Sequence, residues 1–233
     1  MQLTKYLSKT GYDLVDSPVR NHKPLQIWLK QGFNRPELYY DSIDHAFVSD
    51  VQLEIKEDAA LSVDGSKKQT HAFNIGITIL DEVLKSIGLA SLEMSAKIKQ
   101  GRKVSISYKN AVTKSVTLGA VTEYFNKADF LHVNPILLNN ANQNNLLLIT
   151  GVVFAQQLVI DIDTSLTVDN KWMASIKKEL KGRIDISTDK QEKLKMVTSA
   201  KDYFPVAVKA SRLDFDKGQF KGLLQVTDNR NFF

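Results

Sequence analysis

Hydrophobic and polar positions change period several times along the chain, and each change marks an element. From Leu3 to Leu7, with Lys5 and Lys9 on the polar side, the pattern predicts a short basic amphipathic helix that ends near Gly11, a residue suited to a C-terminal cap. Leu25 to Leu29 then reads as a strand, the Pro/Gly-containing stretch Gly32 to Tyr40 as a loop, and Val51 to Val63 as a longer strand region. From Asn74 the period becomes helical: Ile79, Leu80, Val83, Leu84 and Ile87 recur on one side, Asp81, Glu82, Lys85 and Ser86 on the other, and Gly88 stops the run. Directly afterwards Leu92, Met94, Ala96 and Ile98 alternate with Glu93, Ser95, Lys97 and Lys99, the period of a half-buried strand.

Gly101 turns the chain, and Val104, Ile106 and Tyr108 alternate with Ser105, Ser107 and Lys109, so the two runs form an antiparallel pair that continues through Val112 to Thr117. Leu118, Val121, Tyr124 and Phe125 predict a short helix, and the Asn/Gln-rich stretch Asn139 to Asn145 a polar loop. Leu146 to Val159 opens as a nearly continuous apolar run, as in a strand covered on both faces. It then alternates strictly: Leu158, Ile160, Ile162, Leu166 and Val168 face one way, Asp161, Asp163, Ser165, Thr167 and Asp169 the other. A basic helix is expected over Ser175 to Lys181, strands at Ile184/Ile186 and at Val206/Val208, and turns at Lys217-Gly218 and Lys221-Gly222. These elements define an α+β fold, a twisted and mainly antiparallel sheet with peripheral helices.

With 233 residues, 43% of them hydrophobic, the chain supplies the core of one compact domain. The absence of cysteine excludes disulfides, thiolate metal sites, a cysteine nucleophile and S-acylation, and fits a reducing compartment. The first residues lack a signal-peptide pattern, which places the chain in the cytoplasm. The longest apolar stretch, Leu146 to Ala155, is short of the roughly 20 residues of a membrane-spanning helix. His22, His45, His71 and His132 stand apart, and the motifs of nucleotide-binding loops and of serine hydrolases are missing, so neither metal, cofactor nor enzyme is expected. The net charge of +5 is unevenly spread: no acidic residue lies between Glu93 and Glu123, a window holding Lys97, Lys99, Arg102, Lys103, Lys109 and Lys114. A binding module for anionic lipid or nucleic acid is one reading of that window, although Tyr108 is the only aromatic from Lys97 to Lys114 and nucleic acid is not the partner expected.

The run His71-Ala72-Phe73-Asn74-Ile75-Gly76-Ile77-Thr78-Ile79-Leu80 opening an amphipathic helix, followed by Ile87-Gly88 and an alternating hairpin, resembles bacterial gasdermins. So does Leu147-Leu148-Ile149-Thr150-Gly151-Val152-Val153 leading into a long alternating strand, and the likeness runs from about Gly11 to Arg212. The resemblance implies a gasdermin N-domain-like fold at residues 1–215 and a short inhibitory tail at 216–233. It further implies a monomer held latent in the cytoplasm until an activating protease cuts near the tail. Binding to the inner membrane, assembly into a homo-oligomeric pore and lytic death, in bacteria typically as defence against phage, then follow. Many members carry an acylated cysteine near the N-terminus; this chain has none, so acylation cannot restrain it.

Without a spanning helix, a chain crosses a bilayer only as part of a closed β-barrel, whose strands contribute about 9 to 11 residues each, apolar toward lipid and polar toward the lumen. Leu158 to Val168 has that length and pattern, and two segments, about His71 to Tyr108 and about Ile149 to Ser187, are expected to refold into membrane hairpins as their helices surrender the soluble conformation, with Leu92, Met94, Ile98, Val104, Ile106, Leu158, Ile160, Ile162, Leu166, Val168, Ile184 and Ile186 toward lipid. Lys5, Lys9, Lys97, Lys99, Arg102 and Lys103 are the expected contacts with anionic headgroups, at about 1 kcal/mol each. Phe220, Leu223, Leu224, Phe232 and Phe233 are the expected anchors of the tail, because exposed aromatic and aliphatic surface is costly in water.

Overall fold

The computed structural model describes residues 9–15, 21–32, 34, 36–59, 73–74, 103–132, 134–163, 171, 174, 178, 184–189, 193–198 and 203–226. Its strands are β1 (Asp13–Leu14), β2 (Ile27–Leu29), β3 (Glu37–Tyr40), β4 (Phe47–Val48), β5 (Lys56–Ala59), β6 (Phe73–Asn74), β7 (Lys103–Ser115), β8 (Asp129–Phe130), β9 (Leu146–Asp163), β10 (Ile184–Asp189), β11 (Lys193–Thr198), β12 (Phe204–Asp216) and β13 (Gln219–Val226). Among the described residues, the α-helices seen from end to end are α1 (Leu118–Lys127) and α2 (Pro135–Asn142). Eleven strands form one antiparallel sheet, and β4 pairs with β8 apart from it.

The 18-residue strand β9 is the axis of this sheet. Along one edge it pairs with β2 and then β7, and along the other with β12 and then β11. The outer edge of β2 pairs with β3, and that of β7 with β5 and β6. On the opposite flank, β12 is edged by β1 and β13 and β11 by β10. The first half of β9 is covered on both faces, which explains its unbroken hydrophobicity. Leu146 and Leu148 pack with Phe47, Val121, Phe125 and Phe215 in the core beneath the helices, while Leu147, Ile149 and Val152 pack with Val15, Trp28 and Val208 on the other side. Gly151 leaves room for the N-terminal segment to cross β9, since a Cβ there would lie 2.9 Å from the Tyr12 hydroxyl oxygen.

The α+β architecture, the alternating strands and the short helix after Thr117 follow the sequence pattern, and four local expectations are revised. The stretch Asn139 to Asn145 is helical as far as Asn142 rather than a polar loop. Asn134 caps that helix by accepting hydrogen bonds from the Ile136 and Leu137 amides, Pro135 occupies its first turn, and Leu137, Asn140 and Ala141 are buried, so packing and capping override composition. The loop assigned to Gly32–Tyr40 contains β3, held by its ladder to β2. In the region Val51 to Val63 only Lys56–Ala59 is a strand among the described residues, where it can reach β7. Lys221-Gly222 is not a turn but lies inside β13, because the chain has already reversed at Lys217-Gly218.

Candidate functional site

Two features of the sheet are built from the residues singled out by their sequence pattern: the strand group β7, β9, β11 and β10, and the C-terminal strand β13. In the first, antiparallel partners share a face, so the register places Val104, Ile162 and Leu194 in one row and Ile106, Ile160, Met196 and Ile186 in the next. Leu194 and Met196 are fully buried, which makes this the covered face. The other face carries Lys103, Asp163, Lys193 and Asp189 in one row and Ser105, Asp161, Lys195 and Ser187 in the next, with Asp185, Ser187 and Lys195 exposed.

Of the positions expected to face lipid, Val104, Ile106, Leu158, Ile160, Ile162, Ile184 and Ile186 fall on β7, β9 and β10, whereas Leu92, Met94, Ile98, Leu166 and Val168 lie outside the described residues. Ile184 and Ile186 are not beside β9, because β11 intervenes. Among the basic positions, Lys103 begins β7 and Lys9 is exposed; Lys5, Lys97, Lys99 and Arg102 lie outside the described residues, as do Phe232 and Phe233. Sequence reasoning missed β11, although Lys193-Leu194-Lys195-Met196 alternates in the manner of the strands it recognised.

The second feature begins at the turn between β12 and β13. Lys217 and Gly218 both have positive φ, 50° and 78°, the backbone of a two-residue hairpin turn that matches sheet twist. This turn is clasped by the segment that ends α2. The Gly218 amide donates to Asn142 Oδ1 at 2.7 Å and the Phe215 amide to Asn144 Oδ1 at 3.3 Å. From the turn, β13 runs along β12 from Gln219 opposite Asp216 to Val226 opposite Ala210. Phe220 stacks on Phe125 at 5.0 Å and meets Phe215 edge-on at 5.7 Å, and Leu223 packs on the same core. Leu224 points the other way and is 55% exposed, so anchoring falls to Phe220 and Leu223.

The helix under this strand is itself firmly held. Tyr124 of α1 donates from its hydroxyl to the Phe47 carbonyl at 3.2 Å, and burial, reinforced by the Asp44 carboxylate, pushes its pKa up to about 12. Among the described residues no cluster of three or more metal-binding side chains occurs, and no helix is long and apolar enough to cross a membrane, which leaves strand crossing open.

Fold and site together define an α+β protein organised around one antiparallel sheet, with long amphipathic strands and an edge covered by its own C-terminal segment. The chain belongs to the bacterial gasdermin family, whose sequence profile matches residues 15–219. Gasdermins are a family of pore-forming proteins rather than enzymes. A curated relative, gasdermin bGSDM of Vitiosangium sp. (strain GDMCC 1.1324), is 29% identical over 164 residues, covering 69% of this chain. The match spans 60% of that relative's length. A bacterial gasdermin from Bradyrhizobium tropiciagri superposes with a TM-score of 0.58 at 13% identity, over 95% of this chain and 90% of the other, which establishes the shared fold. The membrane pore of gasdermin A3 aligns over 99% of this chain and 96% of the other, at 10% identity and a TM-score of 0.37.

Proposed function

We propose that this protein is a latent pore former released by proteolysis near the β12–β13 turn, after which it binds a membrane, oligomerises and inserts β-hairpins. The observation that carries this reading is the position of β13. It occupies the backbone edge of β12 as an ordinary sheet partner and packs Phe220 onto the core. An edge strand that stays attached prevents another chain from pairing there, and its loss exposes a row of unpaired N–H and C=O groups. Inside a bilayer such groups must find partners, so uncovered edges force neighbouring copies to pair into a closed barrel. The basic positions from Lys97 to Lys103 and at Lys5 and Lys9 supply attraction to the anionic leaflet. Latency belongs to the cytoplasm, activity to the inner membrane, and the consequence is lysis of the cell, in the antiphage setting typical of the family.

Dye release from anionic liposomes tests the proposal, using the full chain and a version with a protease site placed at Lys217-Gly218. Leakage after cutting and not before, accompanied by oligomers, is the expected result. Silence from a cut protein that remains folded and has lost residues beyond Gly218 would instead leave a non-lytic lipid- or nucleic-acid-binding module. A paired substitution tests the strand faces: Ile186→Asp, on the apolar row, abolishes leakage, while Ser187→Asp, its exposed neighbour on the polar row, preserves it. Leakage that is equal in the two variants would remove the lipid-facing assignment of β10.

A further inference from the structure

The stretch Asn139 to Asn145 lies outside the sheet, yet each of its polar side chains makes a hydrogen bond. One set of bonds fixes the segment to the core. Asn140 Nδ2 donates to the Ile136 carbonyl at 3.0 Å, and Asn140 Oδ1 accepts from Gln31 Nε2 and from Asn145 Nδ2, each at 3.2 Å. The Asn145 carbonyl accepts from the Lys30 amide, beside β2, at 2.8 Å. Asn140 is buried, as are Leu137 and Ala141 on the same helix, so displacing this anchor would leave polar groups unmatched inside the protein.

The other set faces the β12–β13 turn. Asn142 Oδ1 takes the Gly218 amide and Asn144 Oδ1 takes the Phe215 amide. Asn144 has a φ of 56°, the left-handed conformation that asparagine tolerates better than most residues and that ends a helix. Leu138 completes the seat, its Cδ1 lying 3.0 Å from the place a Cβ on Gly218 would take. The asparagine-rich composition thus joins a buried anchor on one side to a pair of acceptors on the other.

Judged by its side chains the turn is open to a protease, since Asp216, Lys217 and Gln219 are exposed. Its backbone is not. A protease cleaves a bond after drawing the residues on both sides of it into an extended strand. Here Lys217 and Gly218 have φ of 50° and 78°, and the pairs Phe215 with Phe220 and Asp216 with Gln219 hold the chain reversed. Extending the chain across the 217–218 bond withdraws the Gly218 amide from Asn142, withdraws the Phe215 amide from Asn144 and lifts Gly218 from Leu138.

We infer that α2 and the asparagine segment after it gate proteolysis: the β12–β13 turn is cut only from a locally opened state, whose population the Asn142 and Asn144 acceptors set. This rests on the proteolytic release proposed above and concerns the step before any membrane is met. Where opening and closing are fast against cutting, the cleavage rate follows the open population, so each acceptor lost raises it directly. Activation then depends on the seat of α2 as well as on the protease.

Bond-resolved proteolysis of the native full chain tests the gate. A dilute lysine-specific endoprotease is added, and mass spectrometry gives initial rates of cleavage after Lys217 and, as an internal reference, after Lys127, which is exposed at the end of α1. Asn142→Ala and Asn144→Gly each remove one acceptor, the glycine retaining the left-handed backbone, whereas Asn142→Asp keeps an acceptor in place. Cleavage after Lys217 is expected to rise about fivefold in Asn142→Ala and Asn144→Gly and to stay within about twofold of native in Asn142→Asp. The Lys127 rate is expected to be the same in all four proteins. Unchanged cleavage after Lys217 in the alanine and glycine variants overturns the gate, as does an equal rise at Lys127, which would mean general loss of stability. Because no membrane enters these rates, a gate that behaves as expected in a chain whose cut form leaves liposomes intact would stand while the pore reading fell.

Discussion

Two asparagines and a tyrosine show how single side chains hold the covered edge in place. Asn142 and Asn144 accept hydrogen bonds from the Gly218 and Phe215 amides, at the point where the chain turns from β12 into β13. Replacing Asn142 with alanine removes one of these bonds, at a cost of about 1 kcal/mol. The variant should show a lower melting temperature and faster dye release before any cut, with release after cutting unchanged; an unaltered basal rate would show that the clasp does not restrain the tail. Tyr124 gives a signature in alkaline solution. Its hydroxyl keeps its proton in the fold up to about 12, against 10.0 for the ordinary group, so its contribution is complete below pH 10 and is lost as pH rises from there toward 12. Relative to Tyr124→Phe, the native protein should lose stability across that window and not below it, as read from denaturant midpoints.

At the scale of elements, β13 combines a backbone ladder with one aromatic stack. Phe220→Ala removes the half-buried ring from Phe125 and should weaken tail docking by about 1 to 2 kcal/mol. The expected outcome is a shorter lag between cutting and leakage, measured by stopped-flow dye release. The alternating strands β7, β9 and β10 were legible in the sequence because one covered face and one open face impose a period of two. The helix α2 was not legible, because asparagine composition speaks for a loop and only the Asn134 cap and the buried Leu137 and Ala141 reverse it. Nor was β3, a four-residue strand that depends on its ladder to β2. In β13, the exposure of Leu224 follows from the pleat once Phe220 and Leu223 have turned inward across a bulge at Asp214/Phe215, which sequence alone does not show.

For the whole molecule, β9 is both the core of the sheet and the base of the proposed insertion. Its first half is fixed between two hydrophobic clusters, whereas its second half is flanked by β7 on one edge and β11 on the other. The elements over the outer edge of β12 and β11 come from three separate stretches of chain: β1, β13 and β10.

By itself, the sequence determined the periods: which segments alternate, where the helix after Thr117 lies, that the core strand is apolar on both sides where it begins and on one side where it ends, and the family likeness these features carry. Such properties are local, since the period of a strand or helix is written in consecutive residues. The tertiary structure alone decided which strands are neighbours and in which direction they run. Strand partnership depends on ladders between residues far apart in the chain, and the same alternating pattern suits either edge of β9 and either direction. That is why β10 could be recognised as a strand from Ile184 and Ile186, while its place outside β11, parallel to β9, could be known only from the fold.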